Sequence, residues 1–422
     1  MNLEFKIGQR SETVDVAEKN LLGVLHAKPF PAAADEADLL RDALEHPVGT
    51  SRLGQIVHPG EKIVIITSDV TRPMPTSRVM PQLLDELYSA GVDRHDIQLI
   101  FALGSHRCHT EEERRRLAGE RAYSEIACHD FDPGHLTRVG ITSRGTPVDI
   151  DSRVVEADRR ICLGNVEYHY FAGYSGGAKA IMPGVASRDS IQGNHSMMIM
   201  EEAHAGKLEG NPVRADIEEA CAMVGVDFIL NIVLDEHKRI AVAVAGDVIQ
   251  AHRAACRHLD KHYLCPIPQL ADIVLVSQGG APKDLNLYQV QKALDNAGQA
   301  VRPGGIIVLI GSCREGLGEK TFEEWMLGAS GPDELVERIQ KDFRLGGHKA
   351  AAIAAVRKKA DIFLVSDLED SLVRRLFMEP FPSVQAAYTA ALQKTGNDAS
   401  VLAMPYGGST LPVFHAGGED SD

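Results

Sequence analysis

The sequence predicts an α/β protein of two lobes, each built on a mostly parallel sheet, with an active-site cleft between the lobes. Three observations carry this expectation. Short runs of Ile, Val and Leu such as "KIVIITS" are apolar throughout rather than alternating, the pattern of strands buried on both faces. Polar, helix-forming stretches separate them, so strands and helices alternate. A chain of 422 residues also exceeds what a single core usually holds.

In order, "EKIVIITSD" (61–69) is a strand bounded by turn residues, and a helix follows from about Ser77 to Ala90. "DIQLIFALG" (96–104) is the next strand, "TEEERRRLAG" (110–119) a helix, and "RRICLGN" (159–165) a third strand. The rhythm restarts near Cys265, where "CPIPQLADIVLVSQGG" carries two prolines into a strand. A helix near Leu285–Arg302, the strand "GGIIVLIG", helices within 319–342 and 349–359 and the strand "ADIFLVSD" complete the second lobe. The expected division is 1–266 and 267–402, with 403–422 ("AMPYGGSTLPVF" onward) returning to the first lobe.

Composition excludes several classes. A formal net charge of −15 argues against nucleic acid or an anionic membrane as the main partner, since both reward a basic face. No apolar run is long enough to span a bilayer, and "MNLEFKIGQRSETVDV" lacks the basic start and apolar run of a secretion signal. The seven cysteines are scattered without a C-x-x-C pair, so a cytoplasmic protein with reduced thiols is expected.

The chemistry concentrates where three strands end. The first runs into Asp69, Thr71 and Arg72 ("SDVTRP"), the second into His106 and Arg107 ("GSHRCHT"), and the third into Glu167, His169, Ser175 and Lys179 ("GNVEYHYFAGYSGGAK"). One such cluster caps helices as readily as it catalyses; three at the same edge of one parallel sheet point to a site. Arg72 before a proline offers a planar fork for a carboxylate or phosphate, or a surface ion pair. His106 and His169 are candidate general acids and bases, because imidazole titrates near neutral pH. Ser175, Gly176 and Gly177 resemble a phosphate cradle in kind, though the spacing is neither a P-loop nor a dinucleotide fingerprint. Lys179 is then a phosphate contact, an ion-pair partner or a nucleophilic amine. His195 in "GNHSMM" is a candidate metal ligand or an ordinary histidine. In the second lobe Asp284 is an expected N-cap, and Tyr288, Gln289 and Lys292 share one helix face that can close over an anion.

The ordered set resembles one family: the nickel-pincer-nucleotide lactate racemases and their 2-hydroxyacid racemase and epimerase relatives. His169, Ser175–Lys179 and His195 are its most specific part, supported by "DVTRP", "GSHR", "LYQVQK" and "GGHK" (346–349) in the expected order. The resemblance implies an isomerase that inverts C2 of a 2-hydroxy acid by moving a hydride, with the first lobe binding the cofactor and the second closing over it. The implied cofactor is nickel held by a pyridinium-3,5-bisthiocarboxylic acid mononucleotide, which Lys179 can tether as a thioamide. By the same resemblance His195 ligates nickel, His106 and His169 form the acid/base pair, and Asp69 contacts the nucleotide. Arg72, Tyr288, Gln289 and Lys292 orient the substrate or contact the cofactor. Separate cofactor-making proteins are the implied partners. The chemistry suits this set, because deprotonating C2 beside a carboxylate is electrostatically costly, whereas hydride removal leaves a planar 2-oxo acid open on either face.

One departure bears on substrate. Lactate-specific members carry a tryptophan in the second lobe near the substrate methyl group. Here the single tryptophan is Trp325, and 350–355 after "GGHK" is alanine-rich. The expectation is a substrate larger than lactate, malate-like or a sugar acid, with lactate itself as the alternative. Two other readings of the residues are a metallohydrolase ligated by His106, His169 and His195, and a two-lobed carboxylate-binding protein.

Overall fold

The computed structural model describes residues 1–30 and 35–414. It is mixed α/β and forms two compact units, Pro29–His262 and a second that joins Met1–Lys28 to the chain from Tyr263 onward. Among the described residues no helix is long and apolar enough to cross a membrane.

The 29–262 unit holds a six-stranded sheet in the order Ile240–Gly246, Phe228–Leu234, Arg159–Asn165, Ile63–Ser68, Ile97–Ala102, Ala127–Asp130. All pairs are parallel except the edge pair Phe228–Leu234 with Ile240–Gly246. Ile63, Ile65, Leu99, Phe101, Ile161 and Leu230 are fully or nearly fully buried, as strands covered on both faces require. The helix Thr76–Ser89 presents Val79, Met80, Leu83, Leu84 and Leu87 at helical spacing to this core. Numbered along the chain, the strands lie in the order 6-5-4-1-2-3. The order reverses between Ile63–Ser68 and Arg159–Asn165, and in open α/β sheets ligands bind beyond the carboxyl ends of strands at such a reversal.

The other unit has an all-parallel sheet in the order Glu379–Phe381, Asp361–Val365, Val301–Ile310, Ala271–Ser277, Val401–Met404, Leu21–Val24. An antiparallel hairpin, Asn2–Ile7 with Arg10–Asp15, packs Phe5, Ile7 and Val14 into its core beside Ile273, Leu275 and Val308. The expected boundaries therefore need correction. The first 28 residues belong with the C-terminal unit, because Leu21–Val24 bonds to Val401–Met404 and alternation in "LEFKI" buries one face of the hairpin. The return of 403–422 to the first lobe is likewise replaced: Val401–Met404 lies between Ala271–Ser277 and Leu21–Val24, and Leu411–Val413 pairs with Leu264–Pro266. Residues 415–422 lie outside the described part.

Asp284 is not a helix cap. The cap of Leu287–Ala300 is Asn286, whose side chain accepts from Gln289 N. Asp284 is fully buried instead, and its Oδ2 accepts from Gly8 N at 2.7 Å and Ser312 N at 3.1 Å, which ties the hairpin turn to the sheet.

Truncating Phe5 tests this assignment of the N-terminal hairpin. Phe5→Ala should cost about 3–5 kcal/mol. Hydrogen exchange should show lost protection across 263–414 while 29–262 keeps its own.

Candidate active site

The strand Ile63–Ser68 ends at Asp69, which is buried. Its Oδ2 lies 2.6 Å from Nδ1 of His106, and its Oδ1 accepts from the Thr71 hydroxyl at 2.8 Å. A carboxylate only accepts, so Nδ1–H of His106 is the donor. Burial alone would raise the Asp69 pKa, but the bond from His106, its charge, the bond from Thr71 and the charge of Arg72 outweigh it and hold the group below its ordinary value. The loop is braced by His109, missed in the sequence. Its Nε2 accepts from Val70 N at 3.0 Å, and its Nδ1 donates to Asp130 at 2.7 Å. Arg107 is engaged elsewhere, forked onto Glu113 of the capping box that starts Glu111–Ala118.

Beyond Arg159–Asn165 the chain makes a two-residue-deep hairpin, Tyr168–His169 against Gly173–Tyr174. Phe171 sits at its turn and is buried. Around this one ring gather His169, with centroids 4.5 Å apart, His195 at 4.9 Å, and the Lys179 ammonium 5.7 Å from the centroid. His195 is the last residue of the helix Arg188–His195. Ala172 N donates to Nδ1 of His169 at 3.3 Å.

The Ser-Gly-Gly turn is fixed by protein contacts. The Ser175 hydroxyl donates to Asn165 O at 2.6 Å and accepts from Glu167 N at 2.9 Å. Gly176 and Gly177 have φ of 75° and 55°, and a Cβ at either would meet a neighbour at 2.8 Å: Asn231 Oδ1 at the first, the His252 ring at the second. Gly177 N donates to Asn231 Oδ1 at 2.9 Å. The glycines thus admit Asn231 and His252, two residues the sequence did not single out, and the Cβ side expected to face a nucleotide is occupied by protein. His252 in turn bonds Ser175 O through Nε2 at 2.9 Å.

A fourth missed residue is Arg214, 1% exposed. It donates to the carbonyls of Ala172 and Tyr174, and so holds the hairpin. Its Nη1 is buried with no hydrogen-bond partner among the described residues, as is Nδ2 of Asn231. Burial lowers the Arg214 pKa to about 10. Burial, then Arg214 and Arg72, push Lys179 well below its ordinary value. Burial, then Lys179, Arg72, His195 and Arg214, do the same to His169. Positive groups crowd this place in a chain of net charge −15, and buried donors await acceptors. An anionic group such as a nucleotide fits that demand.

Asp69, Arg72, His106, His169, Ser175–Lys179 and His195 therefore all belong to one unit, at the carboxyl ends of its central strands. Tyr288, Gln289 and Lys292 belong to the other unit, on Leu287–Ala300. Gln289 and Lys292 are exposed there; Tyr288 lies under the Lys349 ammonium at 4.0 Å and edge-on to Phe322. Lys349 also donates to Tyr288 O at 2.8 Å, which joins "GGHK" to "LYQVQK". The alanines on which a larger substrate was expected are buried from 350 to 354, within the helix Gly347–Lys359. Trp325 is buried against Gly347 of the same helix. These small residues serve helix packing in their own unit, so they give no measure of pocket size. Among the described residues no three His, Cys, Asp or Glu side chains gather as a metal-holding set, which removes the support for the three-histidine hydrolase reading.

Residues 7–206 match the lactate racemase N-terminal domain, and 268–411 match the lactate racemase C-terminal domain. The lactate racemase of Thermoanaerobacterium thermosaccharolyticum is 31% identical, with 97% of this chain and 99% of that protein aligned. That of Lactiplantibacillus plantarum is also 31% identical, over 96% and 98%. The structure of the lactate racemase apoprotein from the first organism superposes with a TM-score of 0.85 at 31% identity, covering 98% of this chain and all of that one. A Thermotoga maritima protein at 19% identity shares the fold, with a TM-score of 0.60 over 92% of this chain and all of that one. The protein is an isomerase, of the racemase class. It belongs to the lactate racemase family.

The lowered pKa of Lys179 is measurable in the chain alone. Competitive acetylation across a pH series should give Lys179 a midpoint well below 10.5, ahead of the surface lysines. A midpoint at or above 10.5 would mean the amine is solvated.

Proposed function

We propose that the protein racemises a small 2-hydroxy acid with a nickel-pincer nucleotide as cofactor, and that the cofactor is held by the 29–262 unit. The observation that carries the reading is the convergence of His169, Lys179 and His195 on the Phe171 ring, beside the Asp69–His106 pair. The donor set suits the cofactor. His195 offers an imidazole to the metal, Lys179 is an amine whose charge is disfavoured by burial and by Arg214 and Arg72, and the unpartnered donors of Arg214 and Asn231 suit an anion. When bound, this group supplies the acceptor and donor of the hydride at C2.

The side chains handle the proton and the carboxylate. Arg72 lies exposed at the mouth of the first strand's loop and binds the substrate carboxylate. Tyr288, Gln289 and Lys292 are the residues of the other unit proposed to orient substrate. His106 and His169 exchange the hydroxyl proton, one for each enantiomer, and the balance requires one to start neutral and the other protonated. Burial and the cations around His169 keep it neutral; Ala172 N donates to its Nδ1, so that nitrogen has to leave this bond before it takes the hydroxyl proton. The Asp69 carboxylate holds Nδ1–H of His106, which leaves Nε2 as the nitrogen for the exchange, and His106 is the partner of His169 in it. Asp69 thus acts as a positioning residue for His106.

Substrate deuterated at C2 discriminates hydride transfer from simple deprotonation. With cofactor-loaded enzyme in ordinary water, racemised lactate, malate and larger 2-hydroxy acids should retain the label. Washout into solvent would overturn the hydride reading. In the same assay His106→Ala and His169→Ala should each lower racemisation by about 10²- to 10⁴-fold. The substrate turned over fastest fixes the side chain the enzyme prefers.

A further inference from the structure

We infer that Asn194, held by Asp216 and Thr142, sets the tautomer of His195 and so makes Nε2 the nitrogen offered to the metal. The inference rests on the proposed function only in taking His195 as the ligand; the tautomer itself follows from hydrogen bonds. Thr146 N donates to the Thr142 hydroxyl at 3.1 Å, so that hydroxyl uses its own proton on Asp216 Oδ1, at 2.5 Å. Asp216 Oδ2 lies 2.8 Å from Asn194 Nδ2, and the same nitrogen is 3.1 Å from Val213 O. A carboxylate and a carbonyl can only accept, so the amide orientation is fixed: nitrogen toward them, oxygen away. That oxygen is 2.9 Å from Nδ1 of His195. A carbonyl oxygen needs a donor, so Nδ1 carries the proton, and in the neutral ring the lone pair is on Nε2.

Asn194 and Asp216 are wholly buried, so no solvent competes for these bonds. The last link is an amide rather than a carboxylate. It fixes the ring without drawing positive charge onto it, which suits a neutral metal ligand. The pair also joins two helices, Arg188–His195 and Pro212–Val224, so a merely structural role has to be separated from the tautomeric one.

The variant Asp216→Asn separates them. The Thr142 hydroxyl, which accepts from Thr146 N and donates to position 216, keeps the oxygen of an amide there and leaves its NH₂ facing Asn194. Asn194 then gives up its bond to Val213 O, turns over, presents its own NH₂ to His195 and moves the ring proton to Nε2. Thr142→Val breaks the outermost bond but leaves the orientation of Asn194 intact. Long-range ¹H–¹⁵N NMR on the full chain without cofactor, labelled at histidine, reads the tautomer. The His195 signals are assigned by their loss in His195→Gln.

Wild type and Thr142→Val should show Nδ1–H, and Asp216→Asn Nε2–H. Asn194→Ala, which removes the acceptor, should give a mixture and serves if Asp216→Asn does not fold. On cofactor-loaded chain a chelator should strip nickel from Asp216→Asn about 10- to 100-fold faster than from wild type, and from Thr142→Val at close to the wild-type rate. An unchanged tautomer in both Asp216→Asn and Asn194→Ala, or equal loss of nickel in Thr142→Val, overturns the inference. Wild-type nickel retention by His195→Gln would instead remove His195 as ligand, while the tautomer measurement would still stand.

Discussion

Between Ile63–Ser68 and Arg159–Asn165 the connections leave the sheet in opposite directions, and the rest of the site depends on that parting. A helix packed behind a strand normally fills the space beyond its carboxyl end. Where two neighbouring strands send their crossovers to opposite faces, the space stays clear and the loops must line it. The loop after the first strand brings Asp69 and Arg72, and the next strand outward adds His106. The loop after Asn165 brings the hairpin and the Ser-Gly-Gly turn. The residues are far apart in the chain but share one strand-end register, and for that reason they meet.

The second constraint is electrostatic. Arg72, Lys179 and Arg214 repel one another, and burial penalises the charge on Lys179 and Arg214 further. Fixed backbone acceptors keep Arg214 in place, since the hairpin carbonyls of Ala172 and Tyr174 take its protons. The arrangement is unfavourable in isolation and becomes favourable when an anion enters. That is the expected state of a site preorganised for a charged ligand rather than for its own stability.

Much of this was legible in the chain. The strand 159–165 was read with both of its ends, and 63–68 and 97–102 within two residues at each end, because fully apolar runs between turn residues are unambiguous once helices alternate with them. The clusters carrying Asp69, His106 and His169 were visible because each follows such a run. The N-terminal hairpin was not, since "LEFKI" shows its burial only when its partner sheet is known. Nor were Arg214, His252 and Asn231: each lies on an ordinary helix or strand, and its importance comes from a contact with a turn at least 40 positions away. Asp284 misled for the same reason. Its spacing fits a helix cap, but a distant hairpin turn claims its oxygens.

Three histidines surround this space, and the group facing Nδ1 differs at each. At His106 it is a carboxylate, at His169 a backbone N–H, at His195 an amide oxygen. These partners have different consequences. A carboxylate fixes the proton on Nδ1. An N–H takes the Nδ1 lone pair and, with Lys179 and Arg72 nearby, opposes any charge. An amide oxygen fixes the proton on Nδ1 and leaves the ring neutral. Side chains of one type are thereby set in different proton arrangements. The motif spacing that identifies these histidines carries none of that information; it lies in Asp69, Ala172 and Asn194.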